Sequence, residues 1–246
     1  LSMAAPVLQE ASLPATFFIS TEAVRMRGEF WWDDLERCIL HETLLDVSQL
    51  RKIALQVINE THDGDNREHR TDLLTFGDIE CETEARLAVY RCLWELAFSL
   101  SPGTRNGLIS RIRAATNTPL VARPTHKTLT EKDVIALNDI SGMDVGAHSV
   151  THTPLTALSP HDQREEIVES RRALENILDS PVTTFTYPHG AYNEDTVLIL
   201  RSEGYAAACT TEADVATPKS NNLMLPRLTV PDVDVEEFDK LIRQYW

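Results

Sequence analysis

The feature that most constrains this chain is a set of short apolar runs that recur, after Thr118, between segments of helical spacing. Met143-Asp-Val-Gly-Ala-His148, Val182-Thr-Thr-Phe-Thr-Tyr187 and Tyr205-Ala-Ala-Ala-Cys-Thr210 are too short for helices and rich in β-branched, aromatic and small residues, so they read as buried strands. The segments between them carry helix punctuation. Leu129 to Leu137 has helical spacing; Ser159 and Pro160 supply an N-cap and a first-turn proline, with Asp162 three residues past the cap, for a helix running to about Leu178. Asn193 is expected to cap a further helix that stops at Gly204, a residue suited to left-handed backbone beyond a helix end. Strands alternating with helices specify an α/β architecture built on a parallel sheet.

The N-terminal stretch has a different order. Leu1 to Glu10 has a helix-like pattern and Leu13-Pro-Ala-Thr-Phe-Phe-Ile-Ser20 reads as a buried strand. A helix in an alternating unit normally follows the strand it packs on, so a further strand is expected to precede Leu1. From Phe30 to about Asn117 helix follows helix, with Leu87, Tyr90, Trp94 and Ala97 spaced to form one buried face and Thr61 to Thr71 composed as a solvated loop. The expected organisation is therefore 1–29 as the first part of the α/β domain, 30–117 as a helical insertion, and 118–246 as the remainder.

At 246 residues and 42% apolar, the chain can bury a sizeable core. Its formal charge of −15 disfavours nucleic acid and anionic membranes as partners. Cys38, Cys81, Cys92 and Cys209 are widely spaced and form no Cys-x-x-Cys pair, so they read as ordinary thiols. No apolar run approaches the ~20 residues of a membrane span and no signal peptide is visible, which leaves cell envelope and cytoplasm both open. Asn59-Glu60-Thr61 fits a glycosylation acceptor, a triplet common by chance.

The residues that suggest chemistry are His148 and His152, at the end of one expected strand and in the loop beyond it. Two imidazoles four residues apart can turn toward one divalent ion of the zinc class. A bare His-x-x-x-His pair is a weak signal, and the residue after the first histidine is Ser149 rather than the glutamate a zincin protease needs. Further on, Phe185-Thr-Tyr-Pro-His-Gly-Ala-Tyr192 is a strand broken at Pro188 and Gly190, where exposed backbone N–H groups can serve an oxyanion.

Together these pieces resemble the polysaccharide deacetylase family, also called the NodB-homology or carbohydrate esterase family 4 domain. The resemblance rests on Leu13-Pro-Ala-Thr-Phe-Phe-Ile, Val145-Gly-Ala-His-Ser-Val-Thr-His-Thr-Pro-Leu155, the Glu-rich helix that follows, Tyr187-Pro-His-Gly, Gly204-Tyr-Ala-Ala-Ala and Leu225-Pro-Arg227. The block around Phe30-Trp-Trp-Asp-Asp34 looks like an insertion found in a bacterial branch of this family.

The resemblance implies a distorted (β/α) barrel and hydrolysis of an acetyl group, N-acetyl above all, on a polysaccharide or oligosaccharide. It implies a divalent ion, zinc above others, held by two histidines and an aspartate, with a second aspartate as base. His148 and His152 match the metal pair. Tyr187, Pro188, His189 and Gly190 match the groove segment, with the His189 backbone as oxyanion donor or its ring as an acid, and Arg227 is the candidate to orient the catalytic aspartate.

The chain departs from the family pattern in its acids. The first motif, Thr-Phe-Asp-Asp-Gly, is absent, and the one Asp pair, Asp33-Asp34, reads as an acidic helix start within the insertion. Thr186 stands where many relatives have arginine, and no histidine follows His189. The expectation is an incomplete, inactive piece of a deacetylase with weak zinc affinity and poor solubility. A non-catalytic carbohydrate-binding or scaffold domain is the rival reading.

Overall fold

The computed structural model describes residues 3–26, 28–41, 46–60 and 82–245. Cys81, the loop from Thr61 to Thr71 and the last residue of the Asn59-Glu60-Thr61 triplet lie outside the described residues. The chain forms two compact units, Leu1–Arg25 with Leu129–Trp246, and Met26–Thr128.

The first unit is an α/β layer. Strands β1 (Ala15–Ile19), β2 (Met143–Ala147), β3 (Thr184–Thr186) and β4 (Ala207–Cys209) form one parallel sheet in the order β1-β2-β3-β4. Sequential order without reversal, with a helix between successive strands, is the repeating pattern of a (β/α) barrel rather than of a doubly wound sheet. The α/β class read from the sequence is thus the class of the structure. The register aligns Ile19 with Ala147, Ala147 with Phe185, and Thr186 with Cys209, so the four strands end on one rim. Beyond β4, Leu225 joins Cys209 through a single parallel bridge.

Helices α1 (Ala4–Glu10), α2 (Thr21–Met26), α7 (Glu131–Asn138), α8 (Pro160–Leu178) and α9 (Glu194–Ser202) accompany the sheet, and α10 (Val235–Arg243) follows them. The caps lie where the local chemistry places them. Ser159 accepts from the Asp162 amide at the start of α8, and Asn193 forms a capping box with Thr196 at α9. Gly204 has φ +75 just beyond α9. β3 and β4 are three residues each, shorter than the apolar runs that announce them. β3 ends where Pro188, lacking an N–H, opens a turn.

The core of this unit is a layer of Val145, Ala147, Ile167, Leu174, Phe185, Leu200 and Ala208, all at most 2% exposed. Gly146 is required by that packing: a Cβ there would lie 2.5 Å from the Phe18 ring and 2.7 Å from Thr184 Oγ1.

Among its described residues the second unit is helical: α3 (Trp31–Glu36), a π-turn (Arg37–His41), α4 (Val47–Glu60), α5 (Glu82–Ser99) and α6 (Pro102–Thr116). The buried face of α5 is rotated from the expected one. Val89, Cys92, Leu93, Leu96 and Ala97 are in the core, while Tyr90 and Trp94 flank it half-buried. The compact aliphatic residues let neighbouring helices approach, and the large rings sit at the boundary. Among the described residues no helix is long and apolar enough to cross a membrane.

Candidate functional site

The site is built on the rim where β1 to β4 end. His148 follows β2 directly. Its N–H donates to the Ile19 carbonyl at 3.1 Å and its own carbonyl accepts from Ser20 Oγ at 3.0 Å, so its backbone is held on both sides. Its Nδ1 lies 2.7 Å from the Thr186 carbonyl on β3. A carbonyl can only accept, so Nδ1 carries the proton and Nε2 presents its lone pair. Burial, reinforced by the nearby Arg227 and His189 and opposed by the hydrogen bond to Thr186, lowers its pKa to about 4. The ring is neutral near pH 7, the form that ligates metals.

Beyond His148 the backbone turns through left-handed conformations at Ser149 (φ 61) and His152 (φ 58). Such positions cost on the order of 1–3 kcal/mol each for residues with a Cβ and persist only when the surroundings fix them. Here they are fixed closely. Ser149 is fully buried and its Oγ accepts the His152 N–H at 3.0 Å. Glu166, reaching from α8, accepts the N–H groups of Val150 and Thr151 at 2.9 Å each and the Thr151 hydroxyl at 2.8 Å. Thr21 and Glu22 donate their N–H groups to the carbonyls of Ser149 and Val150. The outcome is a His152 ring set edge-on to His148, with centroids 4.7 Å apart.

A third imidazole extends this row: the His189 ring stands edge-on to His152 at 4.5 Å. His189 lies in the turn Pro188–Gly190 and is itself left-handed, at φ 56. Gly190 follows at φ 70, where a Cβ would fall 2.0 Å from Thr211 Oγ1, so no other residue fits without movement. The Gly190 N–H is taken by the Tyr187 carbonyl and the Ala191 N–H by the Pro188 carbonyl.

Tyr187 is 1% exposed; its hydroxyl donates to the Leu223 carbonyl at 2.6 Å and its ring stacks on Tyr192. Tyr187 and the buried Pro188 therefore anchor the turn from below, and the side chains offered to solvent there are His189 and the partly exposed Tyr192.

Arg227 ties the rim together. Its Nε donates to the Thr210 carbonyl at 2.8 Å and its Nη2 to Thr186 Oγ1 at 2.9 Å, with the guanidinium 6.0 Å from the Phe18 ring centroid. Thr186 thus holds His148 by its carbonyl and Arg227 by its hydroxyl.

The structure brings His148, His152, His189, Gly190 and Arg227 to one rim and places the Tyr187 ring beneath it. The supporting roles of Ser149, Glu166 and Thr186 were not read from the sequence; only the glutamate richness of α8 hinted at one of them. Among the described residues, the groups of three or more potential ligands within 4.8 Å of one another are Asp33, Glu36 and His126, and His161, Asp162 and Glu165. Neither contains His148 or His152. Two imidazoles therefore stand side by side on the rim, with Nε2 of His148 oriented by its hydrogen bond, and among the described residues no carboxylate joins them in a group of this kind.

Comparison with known proteins gives this geometry its context. Residues 119–208 match the family model described as polysaccharide deacetylase. The chain is 30% identical over 89 residues to the polysaccharide-deacetylase-like protein YxkH of Bacillus subtilis, covering 36% of this chain and 32% of that one. Among solved structures it resembles the deacetylase PplD of Streptococcus pyogenes, determined in complex with acetate, with 26% identity, a TM-score of 0.45, and coverage of 50% of this chain and 53% of that one. A polysaccharide deacetylase from Bacillus cereus follows at 20% identity and a TM-score of 0.43, over 56% of this chain and 48% of that one. The chain spans about a third of the length of the curated relative and about half of the PplD structure. The stretch 119–208, which contains β2, β3 and all three histidines of the rim, is the part of the chain that is similar to polysaccharide deacetylases.

Proposed function

We propose that the unit carrying β1–β4 is the metal-binding part of a hydrolase that removes acetyl groups, N-acetyl above all, from a polysaccharide or oligosaccharide. The observation that carries this reading is the His148 Nδ1 to Thr186 carbonyl hydrogen bond, which presents Nε2 of a partly buried neutral imidazole beside the His152 ring. A divalent ion of the zinc class, held there by His148 and His152, would supply Lewis-acid chemistry to an acyl carbonyl and to water. His189 would serve either through its backbone N–H, at the tetrahedral oxyanion, or through its exposed ring, as the acid for the leaving group, and the Tyr187–Gly190 turn would form the groove floor. Arg227, fixed by Thr186 and Thr210, is placed to orient a carboxylate.

That carboxylate and the catalytic base are the Asp pair of the family's first motif, which these 246 residues do not contain. By themselves they are proposed to bind zinc weakly, through too few ligands, and to lack turnover. The lack of the first-motif acids in these 246 residues also suits a second reading, a carbohydrate-binding or scaffold domain that kept the fold without its acids.

The two readings part on one experiment. The reading frame upstream of Leu1 is sequenced, and the longer product is assayed for acetate release from an N-acetylglucosamine oligomer with and without chelator. An in-frame Phe-Asp-Asp-Gly, with activity that chelation abolishes and zinc restores, is expected. A frame without acids and a product that binds the oligomer without hydrolysis establish the second reading. Activity that survives replacement of both His148 and His152 by alanine removes the metal assignment.

A further inference from the structure

The helical unit contains a separate cluster of ligand-type side chains. Asp33 and Glu36 lie one turn apart on α3, and His126 comes from the segment that follows α6; one donor atom of each lies within 4.8 Å of the others. All three are partly buried. The sequence reads Asp33 only as part of an acidic helix start, and the acetyl-hydrolase reading gives these residues no role.

The charges around the cluster are paired, with one exception. Glu29, 3% exposed, accepts from Arg123 Nε and Nη2 at 2.9 and 2.7 Å and from Arg37 at 3.3 Å. Asp34 pairs with Arg113. Glu36 faces His41 through Oε1 at 3.2 Å and lies 3.9 Å from Arg123 through Oε2. The Asp33 carboxylate has no hydrogen bond or ion pair among the described residues, although His126 is close by. Burial holds its carboxyl above the ordinary range, with His126 and Arg123 pulling against that and Glu29 and Glu36 adding to it.

His126 supplies the imidazole of the cluster. Its Nδ1 lies 2.9 Å from Thr125 Oγ1; with the Nδ1 proton in that hydrogen bond, Nε2 carries the lone pair. Its backbone is placed by Arg123, whose carbonyl accepts the His126 N–H at 3.0 Å and whose own N–H donates to Glu29 at 2.6 Å. Arg123, 3.9 Å from Glu36, already donates twice to Glu29, which matches its charge.

We infer that Asp33, Glu36 and His126 form a second divalent-cation site of the zinc class within the helical unit. One imidazole with two carboxylates suits zinc, manganese or cobalt better than calcium or magnesium, which prefer oxygen ligands throughout. Three protein ligands leave at least one position for water. The site joins α3 to the segment that leads out of the unit, across 90 residues of sequence from Glu36 to His126. It is independent of the proposed acetyl-hydrolase centre.

The test uses the full chain and Zn2+ alone, with bound metal per chain measured by equilibrium dialysis and elemental analysis. Asp33→Asn and His126→Gln, which keep side-chain size, are each expected to lose one zinc equivalent or to weaken one at least tenfold, with unchanged helicity by circular dichroism. The His148→Ala/His152→Ala variant is expected to keep that equivalent and to lose a different one. If the rim binds no zinc, the wild type binds one equivalent fewer and the Asp33 and His126 variants still lose theirs. Wild-type stoichiometry and affinity in both Asp33→Asn and His126→Gln overturns the site, and sends any extra equivalent to exposed groups such as His161, Asp162 and Glu165.

Discussion

His148 and Thr186 face each other across neighbouring strands, with the imidazole Nδ1 2.7 Å from the backbone carbonyl oxygen. Because the acceptor is main chain, no substitution at 186 removes it, and the tautomer of His148 is set by the fold itself. The Thr186 hydroxyl is a separate device: it accepts from Arg227 and donates to the Cys209 carbonyl at 3.1 Å. Thr186→Val is therefore expected to leave zinc binding by His148 close to wild type while costing about 1 kcal/mol of stability, since the Cys209 carbonyl loses a donor and the exposed Arg227 loses one acceptor. Chemical denaturation alongside zinc titration checks this. A large loss of zinc affinity with unchanged stability contradicts the division of labour between the carbonyl and the hydroxyl.

Glu166 acts on the same loop from the opposite side. Three donors of Val150 and Thr151 converge on its carboxylate, and the loop they belong to carries His152 through two left-handed residues. Glu166→Ala leaves two backbone N–H groups without their acceptor, at about 1–3 kcal/mol for each that stays buried. The expected result is a lower melting temperature together with at least tenfold weaker zinc binding by the His148–His152 pair, because His152 is no longer held beside His148. Zinc affinity unchanged in a variant of reduced stability means that the loop positions His152 without Glu166.

These supports show where the sequence is readable and where it is not. The starts of α8 and α9 and the stop after α9 follow from Ser159, Pro160, Asn193 and Gly204, whose effects are exerted within three or four residues. The strands were legible as runs but not in length, because pairing and the Pro188 turn decide where a ladder ends. The α5 face was misplaced by its large aromatic rings, which weigh heavily in a spacing pattern yet sit at the core boundary. At the rim, His148 and His152 are visible as a motif. The Thr186 carbonyl, the Glu166 carboxylate and the contact of the His189 ring with His152 are products of tertiary folding over 15 to 38 residues of separation. No local pattern encodes them.

Gly190 offers a sharper test of the turn. Its φ of 70 disfavours any residue with a Cβ, and a Cβ would meet Thr211 Oγ1 at 2.0 Å. Gly190→Ala is expected to cost more than the roughly 1–3 kcal/mol of the backbone conformation alone. Adding Thr211→Ala should recover the steric part and leave the conformational part. A double-mutant cycle in denaturant measures the coupling. Additive effects of the two substitutions mean that the turn relaxes away from Thr211 and that the close approach is not a constraint on the groove.

The pKa of His148 gives a pH dependence whose sign is definite in the metal-free protein. Folding lowers it from 6.5 to about 4, first through burial, so between those values the unfolded chain binds more protons than the folded one. Stability contributed by keeping the ring neutral is present above about pH 6.5, declines as pH falls, and is lost at about pH 4. At 1.36 kcal/mol per pKa unit the full effect is about 3 kcal/mol. Denaturation of wild type and His148→Gln in the presence of chelator, at pH 7 and pH 5, is the measurement: the wild type should lose about 2 kcal/mol more than the variant over that interval. Equal losses in both proteins place the acid sensitivity in other groups and mean that the ring of His148 is protonated without cost, which conflicts with burial as the cause of its lowered pKa.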